Sequence, residues 1–309
     1  MHIFLTIDVE SYTGDYEAEV WASGLGLPFI LDSLQRYGIR ATFFVEGLGA
    51  QRWGQEPTTR ICQVIRAAGH DVQLHLHPSI ATAWGLEDRY DRLWAYDLQT
   101  QADLIRQAKE LLSNCLGTPI SAFRAGDLAA NADTLSAMKA NGLLVGSNRD
   151  LDAHGSIASR VNEVFPVKND VSIREGITDL PVSCFESPFP WLDGRYRHLQ
   201  ITAAGHREMI YVLRRMERLG YRAATILTHP GEFYCRTARG FVPNRKNCRR
   251  WEKLLGFLST SGWMVSAVRE VGLLDGGSRS GAEIVRGSLV WARERVAQQV
   301  WWRIFSREY

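Results

Sequence analysis

The chain has 309 residues, a formal net charge of +2 and 45% hydrophobic residues, enough to bury the core of one large α/β domain. So balanced a charge argues against a nucleic-acid partner on whole-chain electrostatics, and no apolar run approaches the roughly 18 to 20 residues a membrane-spanning helix needs. Five cysteines, at 62, 115, 184, 235 and 248, form no CxxC pair, and their odd number argues against a closed disulfide framework; they are read as reduced thiols.

Met1 leads directly into a strand pattern, with no basic segment, apolar segment and small-residue cleavage site before it, so a cytoplasmic location is expected. Short β-branched or aromatic runs then alternate with longer helical patterns, the signature of βα units and a parallel sheet, about seven to eight in number. Strands are expected at 2–8, 40–47, 71–77, 120–126, 142–148, 177–183, 223–229 and 263–268, and helices at 25–37, 58–68, 87–115, 131–141, 204–219 and 248–261. The longest helical pattern sets Tyr90, Leu93, Trp94, Leu98, Ile105, Leu111 and Leu112 at spacings of three and four, which reads as a core-facing stripe. The stretch "DGGSRSG" at 275–281 reads as a linker, dividing a catalytic domain at 1–274 from a linker and terminal helix at 275–309.

The chemically able residues fall at strand ends. "LTIDVE" carries Asp8 and Glu10, and "QLHLHP" carries His75 and His77. Residues i and i+2 of a strand point the same way, so each pair can face one site. Two imidazoles and a carboxylate suit zinc or a similar divalent ion with a position left for water, and the remaining carboxylate can take that water's proton. His229 in "LTHPGEF" has the titration range to protonate a leaving group, and Arg124 in "FRAGD" can hold a basic carboxylate ionised. Taken singly, each of these is more often a structural residue; their joint placement on the C-terminal ends of strands, where the loops of a parallel barrel converge, is what makes a site. Cys235 has no paired base at a recognisable spacing, and "GLGLP" at 24–28 lacks a phosphate-loop or dinucleotide glycine pattern.

Over roughly residues 1–270 these motifs resemble the polysaccharide deacetylases, the NodB-homology or carbohydrate esterase family 4 group. The resemblance implies a distorted (β/α)7 barrel and metal-dependent removal of N- or O-acyl groups from sugars. It implies Asp8 as general base, Glu10, His75 and His77 as ligands of a divalent metal (zinc first; cobalt, nickel or manganese next), Arg124 as the charge partner of Asp8, and His229 as general acid. Leu227 would line the pocket, and Asp179, Glu232 and Trp191 are further candidates for supporting or substrate-contacting roles. The family's first motif usually has adjacent aspartates, and its second usually spaces the histidines by three residues, a register that falls here on Ser79. The fourth motif leaves Asp179 and Asp150 both open as its carboxylate. By further resemblance to the O-antigen and capsule branch, the substrate is expected to be an acylated amino sugar on a nucleotide or lipid carrier. A metal-independent amidohydrolase of the same fold and a non-catalytic carbohydrate-binding protein are the competing readings.

Two later stretches complete the expectations. The loop "CRTARGFVPNRKNCRRWEK" could grip a diphosphate or uronate, and Trp84 and Trp191 could stack on a sugar. The tail "EIVRGSLVWARERVAQQVWWRIFSREY" has helical period with five arginines and three tryptophans; it is expected to dock on the barrel, with a peripheral membrane contact at the inner face or a homo-oligomer contact as the other uses of the stripe.

Overall fold

A computed structural model describes residues 1–11, 15–81, 84–85, 91–151, 159–161, 164–165, 168–274 and 283–305, with side chains in the last helix described through Gln298. Its strands are β1 (His2–Val9), β2 (Thr42–Glu46), β3 (Asp71–Leu76), β4 (Ala122–Ala125), β5 (Val145–Gly146), β6 (Ser172–Arg174), β7 (Ile177–Asp179), β8 (Cys184–Glu186), β9 (Tyr196–His198), β10 (Ala223–Thr228), β11 (Tyr234–Thr237), β12 (Gly240–Pro243) and β13 (Met264–Ser266). Its helices are α1 (Tyr16–Trp21), α2 (Leu27–Tyr37), α3 (Gly49–Arg52), α4 (Gln55–Ala67), α5 (Leu98–Leu116), α6 (Ala132–Ala140), α7 (Pro190–Asp193), α8 (His206–Arg218), α9 (Arg245–Leu258) and α10 (Leu289–Phe305).

The main sheet runs β10-β1-β2-β3-β4-β5-β7-β6, with β13 also on β1, and every pairing in it but β6–β7 is parallel. It curls into a half-barrel. Its two ends are linked by isolated backbone bonds and not by a ladder: Ser183 N–H donates to Thr225 O at 3.1 Å, Leu199 N–H to Ser183 O at 2.8 Å and Leu227 N–H to Leu199 O at 3.0 Å.

The period-2 alternation of β1 sorts its side chains cleanly. Ile3, Leu5, Ile7 and Val9 join the large core between sheet and helices, while Phe4 belongs to a smaller inner cluster with Phe44, Ala122 and Val268. Thr6 and Asp8 therefore share the inner face of Phe4, as Gln73 and His75 do on β3 and Arg124 on β4, opposite to Leu74 and Phe123 on the outer face. The inner cluster fills the floor, so polar side chains at the strand ends stand on a packed base.

The helix expected at 87–115 is a correction. Its core is α5, which starts only at Leu98 because Asp97 caps it: the Asp97 carboxylate accepts from Thr100 N at 2.8 Å. Leu93 lies before that cap in a short 3-10 turn, Leu98 is 44% exposed, and Tyr90 falls outside the described residues. The stripe runs through a break that hydrophobic spacing alone does not reveal. The linker at 275–281 contains residues outside the described set, but α10 beyond it docks on the barrel, its buried Arg295 pairing with buried Glu208 of α8 at 2.8 Å.

At the opposite end of the barrel from the strand C-termini, His70 precedes β3, buried, with its Nδ1 accepting from Ala41 N at 3.4 Å. Burial, with a smaller push from Arg40, lowers its pKa to about 4. The folded state thus holds His70 neutral where the unfolded chain would protonate it, so this stabilisation is complete above pH ~6.5 and is lost as pH falls from there through about 4. Urea unfolding should lose on the order of 3 kcal/mol more across that window in the wild type than in His70→Asn, whose amide oxygen can still accept from Ala41. Equal pH profiles would refute the assignment.

Candidate active site

The register of the parallel strands builds the site. Glu46 lies beside His75 across β2 and β3, and His75 beside Arg124 across β3 and β4, so these side chains stand in one row at the rim. Asp8 meets Arg124 from β1: Arg124 Nη1 donates to Asp8 Oδ1 at 2.6 Å and to Thr6 Oγ1 at 3.0 Å. The rest of the guanidinium is tied to Ser147, through its carbonyl at 3.2 Å and its hydroxyl at 2.7 Å, and stacks over Phe44 with Cζ 4.2 Å from the ring centre. Arg124 is fully buried, so its pairing with Asp8 is a fixed one.

Glu10, His75 and His77 meet at one point. Glu10 Oε2 lies 3.0 Å from His75 Nε2 and 2.7 Å from His77 Nε2. Each ring is oriented from behind through its other nitrogen, His75 Nδ1 at 3.0 Å from the Arg124 carbonyl and His77 Nδ1 at 2.7 Å from Asp91 Oδ2. With both Nδ1 protons committed to those acceptors, a carboxylate faces two imidazole lone pairs. Three acceptors converging this way call for a cation between them, and a ring held through Nδ1 is how proteins orient a metal-binding histidine. Where no ion sits between them, a proton on His77 takes its place. Burial opposes charge on both partners, yet hydrogen bonds with Asp91 and Glu10 raise His77 well above its ordinary value, and bonds from His75 and His77 hold Glu10 well below its own. The donor set fits a divalent metal.

Among the described residues, one other group of donors lies close enough to share an ion, Asp150, Cys184 and His198. It is wholly buried, and Asp150 Oδ2 already bonds His198 Nε2 at 2.7 Å. Cys235 is a half-buried thiol that burial pushes up in pKa, the opposite of an activated nucleophile.

His229 enters from the end of β10. Its Nε2 lies 3.6 Å from Glu10 Oε1 and 3.9 Å from Asp8 Oδ2, and its Nδ1 is held by Glu232 Oε1 at 2.8 Å. Burial lowers its pKa, but the Glu232 bond and the neighbouring carboxylates outweigh that and raise it to about 9. Glu232 is itself fixed by Thr228 Oγ1 at 2.7 Å and by the amide of Gln200.

Some expected residues lie elsewhere. Asp179 is fully buried against Arg149 at 2.7 Å, and Asp150 is bonded to His198, so neither supports His229; the carboxylate that does is Glu232, three residues along its own turn. Trp191 is 80% exposed on the short α7, touching Phe189, and Trp84 donates to Gln107 at 2.8 Å; neither lines the cavity at the metal-capable group. Leu227 is buried against Leu128 and Val182. Ser79 lines the cavity, its backbone N–H donating to Asp91 at 2.9 Å and its carbonyl accepting from Arg52 at 3.0 Å.

The structure also adds residues that sequence reading missed. The cavity over Glu10 and His77, about 230 Å³, has Trp53 and Ile80 on its wall. Glu46 accepts from the backbone N–H of His77 at 2.8 Å and of Leu48 at 2.9 Å, and burial raises its pKa to about 7. Gly126, within "FRAGD", lies flat against the His77 ring: a Cβ there would stand 2.4 Å from the imidazole. Asp127 and Leu128 follow it in left-handed conformations, φ 53° and 55°, which cost roughly 1–3 kcal/mol each and mark a turn held in place by its surroundings.

Residues 5–146, which carry Asp8, Glu10, His75, His77 and Arg124, match the polysaccharide deacetylase family model. Over nearly its whole length the chain has the fold of a Mycobacterium smegmatis protein assigned as a polysaccharide deacetylase, at 17% identity and a TM-score of 0.57, covering 93% of this chain and 94% of that one. It is also similar to a family 4 carbohydrate esterase of Streptomyces lividans in complex with acetate (14% identity, 86% and 91% of the two chains, TM-score 0.46) and to a family 4 pseudoenzyme of Bacillus anthracis (15%, 89% and 66%, TM-score 0.46). No curated protein matches the chain in sequence.

Proposed function

We propose that the protein is a metal-dependent hydrolase that removes an N-acyl group, acetyl or formyl, from an amino sugar, with a nucleotide- or lipid-linked polysaccharide precursor as its substrate class. The observation that carries this is the meeting of three differently prepared groups at one rim: a three-acceptor cluster, a carboxylate clamped by a buried arginine, and a histidine held as a proton donor.

Glu10, His75 and His77 would hold the ion, with zinc the best match to one carboxylate and two imidazoles. When bound, it supplies Lewis acidity: it polarises the acyl oxygen and makes water acidic enough to attack at neutral pH. Asp8, its Oδ1 engaged by Arg124, offers Oδ2 toward the site and accepts the proton of the attacking water. Arg124 keeps Asp8 pointed. His229 gives the proton from Nε2 to the departing amine, while Glu232, itself held by the Gln200 amide, fixes the ring through Nδ1. Trp53 and Ile80 give the cavity an apolar wall for a sugar face.

The test is acetate release from a panel of N-acetylated amino sugars presented free, as oligomers and nucleotide-linked. Turnover on at least one member, abolished by a strong chelator and restored by added zinc, is expected. Turnover indifferent to chelation would move the protein to the metal-free amidohydrolases, and no turnover on any member with metal bound would leave a carbohydrate-binding role.

A further inference from the structure

We propose that the outward face formed by α8 and α10 docks on an anionic phospholipid bilayer. The inner side of α10 is committed to the barrel: Ala292 is buried, Arg295 pairs with Glu208 in full burial, and Arg250 donates to Gln298 at 2.8 Å. That anchoring fixes which side of α10 looks outward, and it carries Leu289 and Val290, 56% and 64% exposed, together with exposed Arg293.

Beside them a groove of about 530 Å³ is lined by Arg207, Arg214, Arg215 and Arg218 of α8, and no acidic residue lines it. Its apolar floor is Ile210, Tyr211 and Trp291. Acidic neighbours are already engaged. Glu208 is taken by Arg295, Glu294 lies 3.6 Å from Arg207, and Glu217 accepts from the Trp263 indole at 2.5 Å. Among the described residues no ion pair is formed by Arg214, Arg215 or Arg218.

Each part points to the same partner. Guanidiniums not neutralised by protein carboxylates fit phosphate headgroups, with two parallel donors apiece. Apolar Leu289 and Val290, exposed two residues and one residue before the groove-lining Trp291, would enter the headgroup boundary, as amphipathic surface helices do, and long arginine side chains can keep their charge at the phosphate level while their stems cover apolar surface. A soluble polyanion would use the arginines and leave the apolar pair without a role. No helix among the described residues is long and apolar enough to cross a membrane, so the contact is one of lying on the surface.

The experiment is co-sedimentation of the full chain with vesicles of phosphatidylcholine alone and of phosphatidylcholine mixed with phosphatidylglycerol, at low and high salt. Binding to the anionic vesicles only, weakening with salt, is expected. The triple variant Arg214→Glu, Arg215→Glu, Arg218→Glu should weaken it roughly 100-fold, from about fivefold per removed cation. The pair Leu289→Glu, Val290→Glu should weaken it as well, because the apolar contact is part of the surface. All five positions are exposed, so the variants should keep the wild-type circular dichroism; Arg→Gln versions of the triple serve if they do not. Absence of binding to anionic vesicles overturns the proposal. So does binding that both variants leave unchanged, or binding lost only with the arginines, which would mark a general polyanion site. None of these readouts involves deacylation, so the docking surface and the enzymatic reading stand or fall separately.

Discussion

Asp8→Asn should fold, bind metal as the wild type does, and release acyl groups about 100 to 10,000 times more slowly, the usual contribution of a positioned general base. The amide keeps an oxygen for Arg124 Nη1, and the guanidinium retains its neutral acceptors Thr6 and Ser147, so the buried cation loses its counter-charge but not its hydrogen bonds. What the substitution removes is the proton-accepting oxygen that lies 3.9 Å from His229 Nε2. The loss should therefore fall on kcat with metal stoichiometry unchanged, alongside a drop in thermal stability from the unpaired Arg124. If turnover survives within a few-fold of wild type, Asp8 is not the base.

Arg124→Met should be felt in stability before activity can be measured. It leaves the carboxylate of Asp8, 4% exposed, without its partner in the barrel interior. Breaking a buried pair from one side costs about 3–5 kcal/mol, a large fraction of the roughly 5–15 kcal/mol that holds a domain folded. The double variant with Asp8→Asn should recover much of that loss, because the cost lies in the orphaned charge and not in the shape of the arginine. Urea unfolding of the wild type, both singles and the double measures it directly. Additive losses would show that Arg124 stabilises the barrel through its Ser147 and Phe44 contacts alone.

The parts of the site carried by strands were legible in the sequence for a physical reason. A strand has a period of two, so "TIDVE" and "LHLHP" each announce a pair facing one way, and parallel register brings strand ends to a common rim. The strands at 2–8, 71–77 and 223–229 correspond closely to β1, β3 and β10. What sits on turns was not legible. Glu232 stood among the candidates beside Asp179, but only the 3-10 turn after β10, which folds Glu232 back to His229, separates it from Asp179, which the fold spends on Arg149. Asp91 reaches His77 from fourteen positions away, out of a stretch that the sequence pattern reads as the start of a helix. Gly126 shows its meaning only when the His77 ring is seen against it. Helix periodicity misled in one place, where Leu93 and Leu98 kept the right spacing across the cap at Asp97 that separates them. Trp191, conspicuous by composition, is exposed and absent from the cavity's lining, and Trp53, capping the C-terminal end of α3, stands there instead.

The central claim is that Glu10, His75 and His77 are one metal site. Elemental mass spectrometry on purified protein, as isolated and after equilibration with zinc, tests it without any guess about the sugar. The account predicts close to one equivalent of divalent metal in the wild type and its loss from both His75→Ala and His77→Ala. A wild type that takes up no metal, or a His77→Ala variant that keeps the full equivalent, would contradict it.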